Sequence, residues 1–263
     1  MHHVYSRSGV RVSFDSRGSG PPLVLLHGSF SDHRSNWEFV IDDLALHFSV
    51  IAVARRGRGE TDATEGHALV DEADDALAVL ASLGLPAFVL GHSYGAQVAL
   101  SVAQRAPERV RGLVLYEPPT PRLVAGPTFA RLEALAGNGD WGGFAWTFFA
   151  DVLSVPIEEL SALRASDSWA SIVADAPASL GDLRALRRHA FDARAFARLT
   201  LPVRLQIGSE SPRAFYVTDA LAAALPDVRI EVLAGQAHEG MTTAPEQYVE
   251  SVRRLLSPAL SPA

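Results

Sequence analysis

The chain has 263 residues, 48% of them hydrophobic, which is enough for one α/β domain or for one domain with an insertion. A formal net charge of -7 and the lack of long basic clusters argue against a nucleic-acid partner. The chain has no cysteine and no lysine, which excludes disulfides, thiolate nucleophiles, cysteine metal ligands and lysine-based catalysis.

The amino terminus, residues 1–7, lacks the apolar stretch of a secretion signal. No part of the sequence approaches the roughly 20 consecutive apolar residues of a membrane span. We therefore expect a cytoplasmic protein that binds neither a membrane nor nucleic acid. The sequence leaves open whether it is a monomer or a homodimer.

Short apolar segments alternate with helical segments along much of the chain. Strands are predicted at residues 10–15, 23–26, 50–53, 87–90, 112–116, 203–207 and 228–233. Helices are predicted at 32–47, 71–83, 95–104, 214–225 and 245–256. This alternation is typical of parallel strands joined by right-handed crossovers, and it predicts an α/β fold with a doubly wound, mostly parallel sheet.

The alternation stops between residues 118 and 198, where no comparable buried strand occurs. This segment is predicted to form helices separated by residues 137–139, Pro156 and Pro177. We therefore predict a core of residues 1–117 and 199–263 with an inserted helical cap at 118–198. Residues 257–263 are expected to form a frayed tail.

An apolar, β-favouring segment leads into Gly91-x-Ser93-x-Gly95, and a helical segment of small residues follows. This is the strand, sharp turn and helix that present a nucleophilic serine. Side chains at the two glycines would collide where the chain reverses, and the turn strains the backbone of its central residue. Ser93 is therefore predicted to be a nucleophile, which requires a histidine base and an acid elsewhere.

His238 follows the last predicted strand, so its loop opens at the same sheet edge as Ser93. It is the predicted base, whereas His92 is expected to be structural because neighbours in a tight turn point apart. Acyl transfer also needs N–H donors for the developing oxyanion. The N–H of Tyr94 follows the nucleophile, and the second donor is predicted to be Ser29, with Phe30 as the alternative.

Four motifs resemble those of the α/β-hydrolase superfamily in order and spacing, over nearly the whole chain. They are His27-Gly28-Ser29, Arg56-Gly57-Arg58-Gly59, Gly91-His92-Ser93-Tyr94-Gly95 and Gly235-x-x-His238. The resemblance implies an α/β-hydrolase fold with a cap. Resemblance to serine members implies an acyl-enzyme on Ser93, His238 as base and then acid, and an oxyanion hole made by the N–H groups of Ser29 and Tyr94.

The sequence departs from the family pattern at the acid. Most members carry an aspartate in the loop after the strand that follows the cap, at the place of Ser211. Glu210 lies one residue away from that place. Glu117 directly follows the strand predicted at 112–116, a position from which some members take their acid, and two prolines stiffen its loop. Glu117 is therefore predicted to be the triad acid, with Glu210 as the alternative.

Aromatic residues are expected to line an apolar substrate pocket, although some could form the core of the cap instead. The candidates are Phe30, Trp141, Trp146 and Phe149. We predict a serine hydrolase that cleaves a carboxylic ester or lactone with an apolar body and uses neither a metal nor a cofactor. The alternatives are a C–C bond or peptide hydrolase, a cofactor-free perhydrolase or haloperoxidase-like enzyme, and a hydrolase-like receptor for a small ligand. Epoxide hydrolase and dehalogenase chemistry is disfavoured, because the resemblance would then require aspartate in place of Ser93.

Overall fold

The computed structural model describes residues 1–256, which contain one eight-stranded sheet. The order of the strands across the sheet is β1-β2-β4-β3-β5-β6-β7-β8. Strands β1 and β2 run antiparallel to their neighbours, and the other pairs are parallel. The strands are β1 (His2–Tyr5), β2 (Arg11–Arg17), β3 (Pro22–Leu26), β4 (Ser49–Val53), β5 (Ala87–His92), β6 (Val110–Tyr116), β7 (Val203–Gly208) and β8 (Val228–Leu233).

Helices connect the parallel strands and cover both faces of the sheet. They are α1 (Ile41–Ala45), α2 (Leu69–Ser82), α3 (Tyr94–Arg105), α4 (Gly126–Gly137), α5 (Trp141–Thr147), α6 (Ile157–Ala165), α7 (Ser168–Arg188), α8 (Thr218–Ala224), α9 (Gly240–Thr243) and α10 (Pro245–Leu256). The arrangement confirms the predicted doubly wound, mostly parallel sheet with a helical insertion.

Two apolar layers hold the helices on the sheet. Helices α2, α3 and α8 pack on one face, where Val79, Val98 and Leu221 are fully buried. Helices α1 and α10 pack on the other face, which buries Leu44 and Val252 completely. Because parallel strands between two helical layers are covered on both sides, the central strands are continuous apolar segments, as the sequence predicted.

Helices α4 to α7 form the insertion between β6 and β7, and residues of α4, α5 and α7 share a separate apolar cluster. Leu132, Phe144 and Leu180 are among its buried members. A π-helical turn at Phe148–Val152 follows α5 directly. Phe30, from the loop after β3, joins the same cluster. The insertion therefore packs against a core loop that the sequence implicates in the site.

Two predicted features differ from the structure. The helix predicted at 32–47 is reduced to a 3₁₀ turn, Ser35–Trp37, and the short α1. The carboxylate of Asp32 accepts hydrogen bonds from the backbone N–H groups of Arg34 and Ser35, and this local pairing competes with helix formation. Pro177 does not separate two helices but lies inside α7, which continues because residues beyond the proline are buried against the core.

Within residues 1–256, no helix combines the length and the apolar character needed to cross a membrane. The tail predicted at 257–263 lies outside the described residues.

Candidate active site

Ser93 stands in a tight turn between the end of β5 and the start of α3. Its backbone angles, φ 52° and ψ -123°, are strained for a residue with a side chain. A Cβ at Gly91 would lie 2.5 Å from Cα of Ala96, and one at Gly95 would lie 2.2 Å from the carbonyl oxygen of Leu26. Positions 91 and 95, on either side of Ser93, therefore accommodate only glycine. Ser93 itself lies on the wall of a large cleft.

Glu117 and His238 form a close pair beside this turn. Glu117 follows β6 directly, and its side chain is fully buried. Oε2 of Glu117 lies 2.5 Å from Nδ1 of His238, and Oε1 accepts a hydrogen bond of 2.8 Å from the N–H of Gly208. Glu210 is exposed and accepts a hydrogen bond from the hydroxyl of Ser209 instead. The structure thus brings Glu117, and not Glu210, to His238.

Each member of this pair shifts the pKa of the other. Burial disfavours the imidazolium of His238, but the hydrogen bond and the charge of Glu117 outweigh it and raise the pKa of His238 above its usual value. Burial disfavours the carboxylate of Glu117, but hydrogen bonds from its neighbours and the charge of His238 lower the pKa of Glu117 below its usual value. Glu117 is therefore ionised at neutral pH and stabilises a proton on His238.

Ser93 and His238 line the same cleft. Among the described residues, no hydrogen bond joins the hydroxyl of Ser93 to the ring of His238. Such bonds are often long in the unliganded state and shorten when the substrate binds.

His92, the neighbour of Ser93, is buried between the side chain of Asn36 and the loop of His238. Its Nδ1 lies 3.1 Å from Oδ1 of Asn36, and its Nε2 lies 3.0 Å from the carbonyl oxygen of His238. Burial and the proximity of His238 lower the pKa of His92 well below its usual value. His92 is thus neutral and holds the loop of His238, in keeping with the structural role expected for it.

The N–H groups of the two predicted oxyanion donors are not used in other hydrogen bonds within the described part of the chain. The N–H groups of Ser29 and Tyr94 donate to no acceptor within residues 1–256. In contrast, the N–H of Phe30 donates to Oγ of Ser179 at 2.7 Å. The N–H of Phe30 is therefore occupied in this structure, and Ser29 as the second oxyanion donor stays a prediction.

Sequence reasoning missed three residues that support these groups. The hydroxyl of Ser211 contributes to the lowered pKa of Glu117. The ring of Tyr216 stacks on that of His238 with 5.6 Å between centroids, and its hydroxyl lies 3.2 Å from Nδ1 of His238. Asn36 accepts a hydrogen bond of 3.0 Å from the N–H of Gly28. Ser211 could have been found from its place in the family pattern, whereas no sequence signal marks Tyr216 or Asn36.

The cleft next to Ser93 has a volume of about 590 Å³, and its wall combines apolar side chains with polar and charged ones such as Asp32, Arg58 and Asp175. Phe30 and Phe149 line it together with Phe148, Leu153, Leu163, Ile172 and Leu183. Trp141 and Trp146 do not line it, contrary to the expectation from sequence. Trp141 packs on Phe144 at 5.7 Å between ring centroids, and Trp146 packs on Trp169 at 6.5 Å, so both lie against other side chains of the cap.

Two groups among the described residues have the spacing of metal ligands. They are His92, His238 and Glu239, and His67, Glu72 and Asp182. In the second group both carboxylates lie 2.7 Å from the guanidinium of Arg55, which already supplies a positive charge. In the first group His238 uses Nδ1 for Glu117. The absence of a metal and a cofactor stays a prediction.

Comparisons with known proteins identify the family. The model of the alpha/beta hydrolase family matches residues 23–251. The chain is 37% identical over 140 residues to 2-hydroxymuconate semialdehyde hydrolase of Pseudomonas sp. (strain CF600), covering 51% of this chain and 47% of that protein. It is 33% identical over 141 residues to bifunctional epoxide hydrolase 2 of Sus scrofa, covering 52% and 25%. The matches thus span about half the length, or less, of these curated relatives.

A solved structure extends the similarity over the whole chain. An alpha/beta hydrolase from Sphaerobacter thermophilus DSM 20745 superposes with a TM-score of 0.85 and 29% identity, covering 97% of this chain and 100% of that one. Together with the family match and the fold described above, this shows that the chain belongs to the alpha/beta hydrolase family.

Proposed function

We propose that the chain is a serine hydrolase that cleaves a carboxylic ester or lactone with an apolar body through an acyl-enzyme. The observation that carries this proposal is the contact of 2.5 Å between Glu117 and His238, because His238 lines the same cleft as a serine held on a strained turn. A buried carboxylate next to a histidine with a raised pKa is the pairing that orients a base and stabilises its protonated form.

The chemistry follows from these positions. The hydroxyl oxygen of Ser93 attacks the substrate carbonyl carbon while Nε2 of His238 takes the hydroxyl proton. Glu117 stabilises the resulting imidazolium, and the N–H groups of Ser29 and Tyr94 donate to the oxyanion. The tetrahedral intermediate collapses as His238 returns the proton to the leaving alkoxide. Water, activated by His238, then hydrolyses the acyl-enzyme by the same sequence and releases the acid.

The lining of the cleft supports an apolar substrate. Phe30 and Phe149 face the cleft beside the proposed oxyanion loop, and aliphatic side chains of the cap continue the wall. Burial of apolar surface contributes about 25 cal/mol per Å², so each methylene placed against this wall strengthens binding. We therefore expect medium-length acyl or alkyl groups to be preferred over acetate or methyl groups.

A C–C bond hydrolase is the second candidate function. The 37% identity to a protein named 2-hydroxymuconate semialdehyde hydrolase favours it. In such a reaction the same serine and base would act on a ketone, and the leaving group would be a stabilised carbanion. The similarity to a bifunctional epoxide hydrolase carries less weight, because Ser93 stands where that chemistry would require an aspartate nucleophile.

A substrate screen with a matched blank tests the proposal. Wild-type protein and Ser93→Ala are assayed on 4-nitrophenyl esters of increasing acyl length, aliphatic lactones, amides, 1,3-diketones and a simple epoxide. We expect hydrolysis of esters or lactones by the wild type only, together with labelling of Ser93 by a fluorophosphonate, located by peptide mass spectrometry. Turnover of the diketones alone would favour the second candidate. Labelling at a residue other than Ser93 would contradict a serine esterase. Saturable binding of a screened compound without its turnover would contradict it as well.

A further inference from the structure

The peptide unit between Gly28 and Ser29 is fixed from its carbonyl side. Its carbonyl oxygen accepts a hydrogen bond of 2.9 Å from Nη2 of Arg55. Nε of the same arginine donates to the carbonyl oxygen of His27, also at 2.9 Å. Because the C=O and N–H of a planar trans peptide point in opposite directions, the position of this carbonyl sets the direction of the N–H of Ser29.

Arg55 is in turn held by carboxylates from two helices. Its Nη2 lies 2.7 Å from Oδ2 of Asp182 in α7, and its Nη1 lies 2.7 Å from Oε2 of Glu72 in α2. All three side chains are at most 2% exposed. Burial opposes the charge on Asp182, but Arg55 and Arg58 outweigh it and hold the pKa of Asp182 well below its usual value. The orientation of Arg55 therefore depends on the cap helix α7.

Helix α7 contacts the same loop at two further points. The hydroxyl of Ser29 donates to Oδ2 of Asp182 at 2.8 Å. The fully buried Ser179 accepts a hydrogen bond of 2.7 Å from the N–H of Phe30. Phe30 has φ 60°, a conformation that residues other than glycine adopt only when their surroundings hold them there. Without these contacts the loop would lose two of the constraints on this conformation.

We propose that α7 positions the oxyanion hole through Asp182 and Ser179, with Arg55 as the positioning residue that orients the N–H of Ser29. This inference rests on the proposed acyl-transfer function and adds a role for the cap beyond covering the substrate. The cap and the donor loop form one hydrogen-bonded unit. A displacement of α7 would therefore misalign an oxyanion donor even if Ser93, His238 and Glu117 were unmoved.

The test compares Arg55→Lys with the matched control Arg56→Lys. A lysine at position 55 keeps the charge but cannot bond two carbonyls and two carboxylates at once. Arg56 is also a buried arginine, binds Asp75 through two hydrogen bonds and makes no hydrogen bond to residues 27–30 within the described chain. Both variants are assayed for kcat and KM on the best ester, and for inhibition by a trifluoromethyl ketone, which adds to the serine and forms an oxyanion.

We expect Arg55→Lys to lower kcat by a factor on the order of 10² to 10³, the usual effect of losing one oxyanion donor. The inhibition constant of the ketone should rise in parallel, with KM and the acid limb of the pH profile unchanged. Arg56→Lys should retain the kcat and the ketone affinity of the wild type. If Arg55→Lys lowers only the melting temperature and leaves kcat per folded molecule at the wild-type value, the role of Arg55 is purely structural and the proposal is overturned.

A milder variant decides the question if Arg55→Lys does not fold. Ser179→Ala releases the N–H of Phe30 without removing a charge, and alanine suits a helix. It should show the same parallel loss of kcat and ketone affinity at a smaller magnitude, and wild-type values would overturn the inference. A wild type that neither turns over esters nor is labelled at Ser93 would overturn the proposed function, and this inference with it.

Discussion

The substitution Glu117→Gln should lower kcat by about four orders of magnitude. Oε1 of this carboxylate accepts a hydrogen bond from the N–H of Gly208. The amide oxygen of glutamine would keep this bond, which turns its NH₂ group toward Nδ1 of His238. Nδ1 must then be the unprotonated nitrogen, so the proton resides on Nε2 and the ring cannot accept the proton of the serine.

The magnitude follows from this wrong tautomer and the lost charge. Replacement of the acid by its amide in a serine triad costs about 10⁴ in kcat, which at 1.36 kcal/mol per factor of ten is about 5.4 kcal/mol of barrier. The assay is steady-state ester hydrolysis with circular dichroism as a check on folding. Glu210→Gln is the control, and it should stay within roughly tenfold of wild type because that side chain is exposed. The assignment of Glu117 as the triad acid would be refuted if Glu117→Gln folds and keeps a kcat near that of the wild type. It would also be refuted if Glu210→Gln loses more kcat than Glu117→Gln.

Three further outcomes are expected. Ser93→Ala should abolish ester hydrolysis and leave the circular dichroism spectrum intact, because the alanine methyl fits the same turn; an active, folded variant would contradict this. Glu117 raises the pKa of His238, and His238 must be neutral to act as the base. We therefore expect kcat/KM to rise with pH through an apparent pKa above about 6.5. A midpoint below that value would count against the pairing of Glu117 with His238. Phe149→Ala, at the cleft wall, should change the ratio of rates on long and short acyl esters, whereas Trp146→Ala should leave the ratio unchanged; equal effects in the two variants would show that the cleft does not select the acyl group.

The sequence predicted the core of the fold because its signals are local. Buried parallel strands are continuous apolar segments, and Gly91 and Gly95 are required by close contacts within one turn. The position of Glu117 directly after β6 could be inferred for a similar reason, since strand ends share one sheet edge. The contact of Glu117 with His238 agrees with the predicted acid, although its catalytic role remains to be tested.

The sequence could not predict features that depend on packing between distant segments. Whether Trp146 or Phe149 faces the cleft depends on how the cap helices pack against one another, and each residue lies next to another aromatic ring. Pro177 reads as a helix terminator, but tertiary burial of the following turns overrides that local signal. The local sequence around Arg55 indicates only an arginine in a loop. Its contact with Asp182, 127 residues away, could not be predicted from the sequence around either residue.

Three of the four non-glycine residues with positive φ in the described chain, Phe30, Ser93 and Glu117, lie at the candidate site. Each such conformation costs on the order of 1–3 kcal/mol, against a total folding stability of about 5–15 kcal/mol. A directed-evolution campaign that rewards heat resistance alone would therefore favour glycine at position 93, where the side chain is small and little packing is lost with it. It would enrich well-folded proteins that have lost a group needed for turnover, so a screen for thermostable variants of this chain has to measure activity in every round.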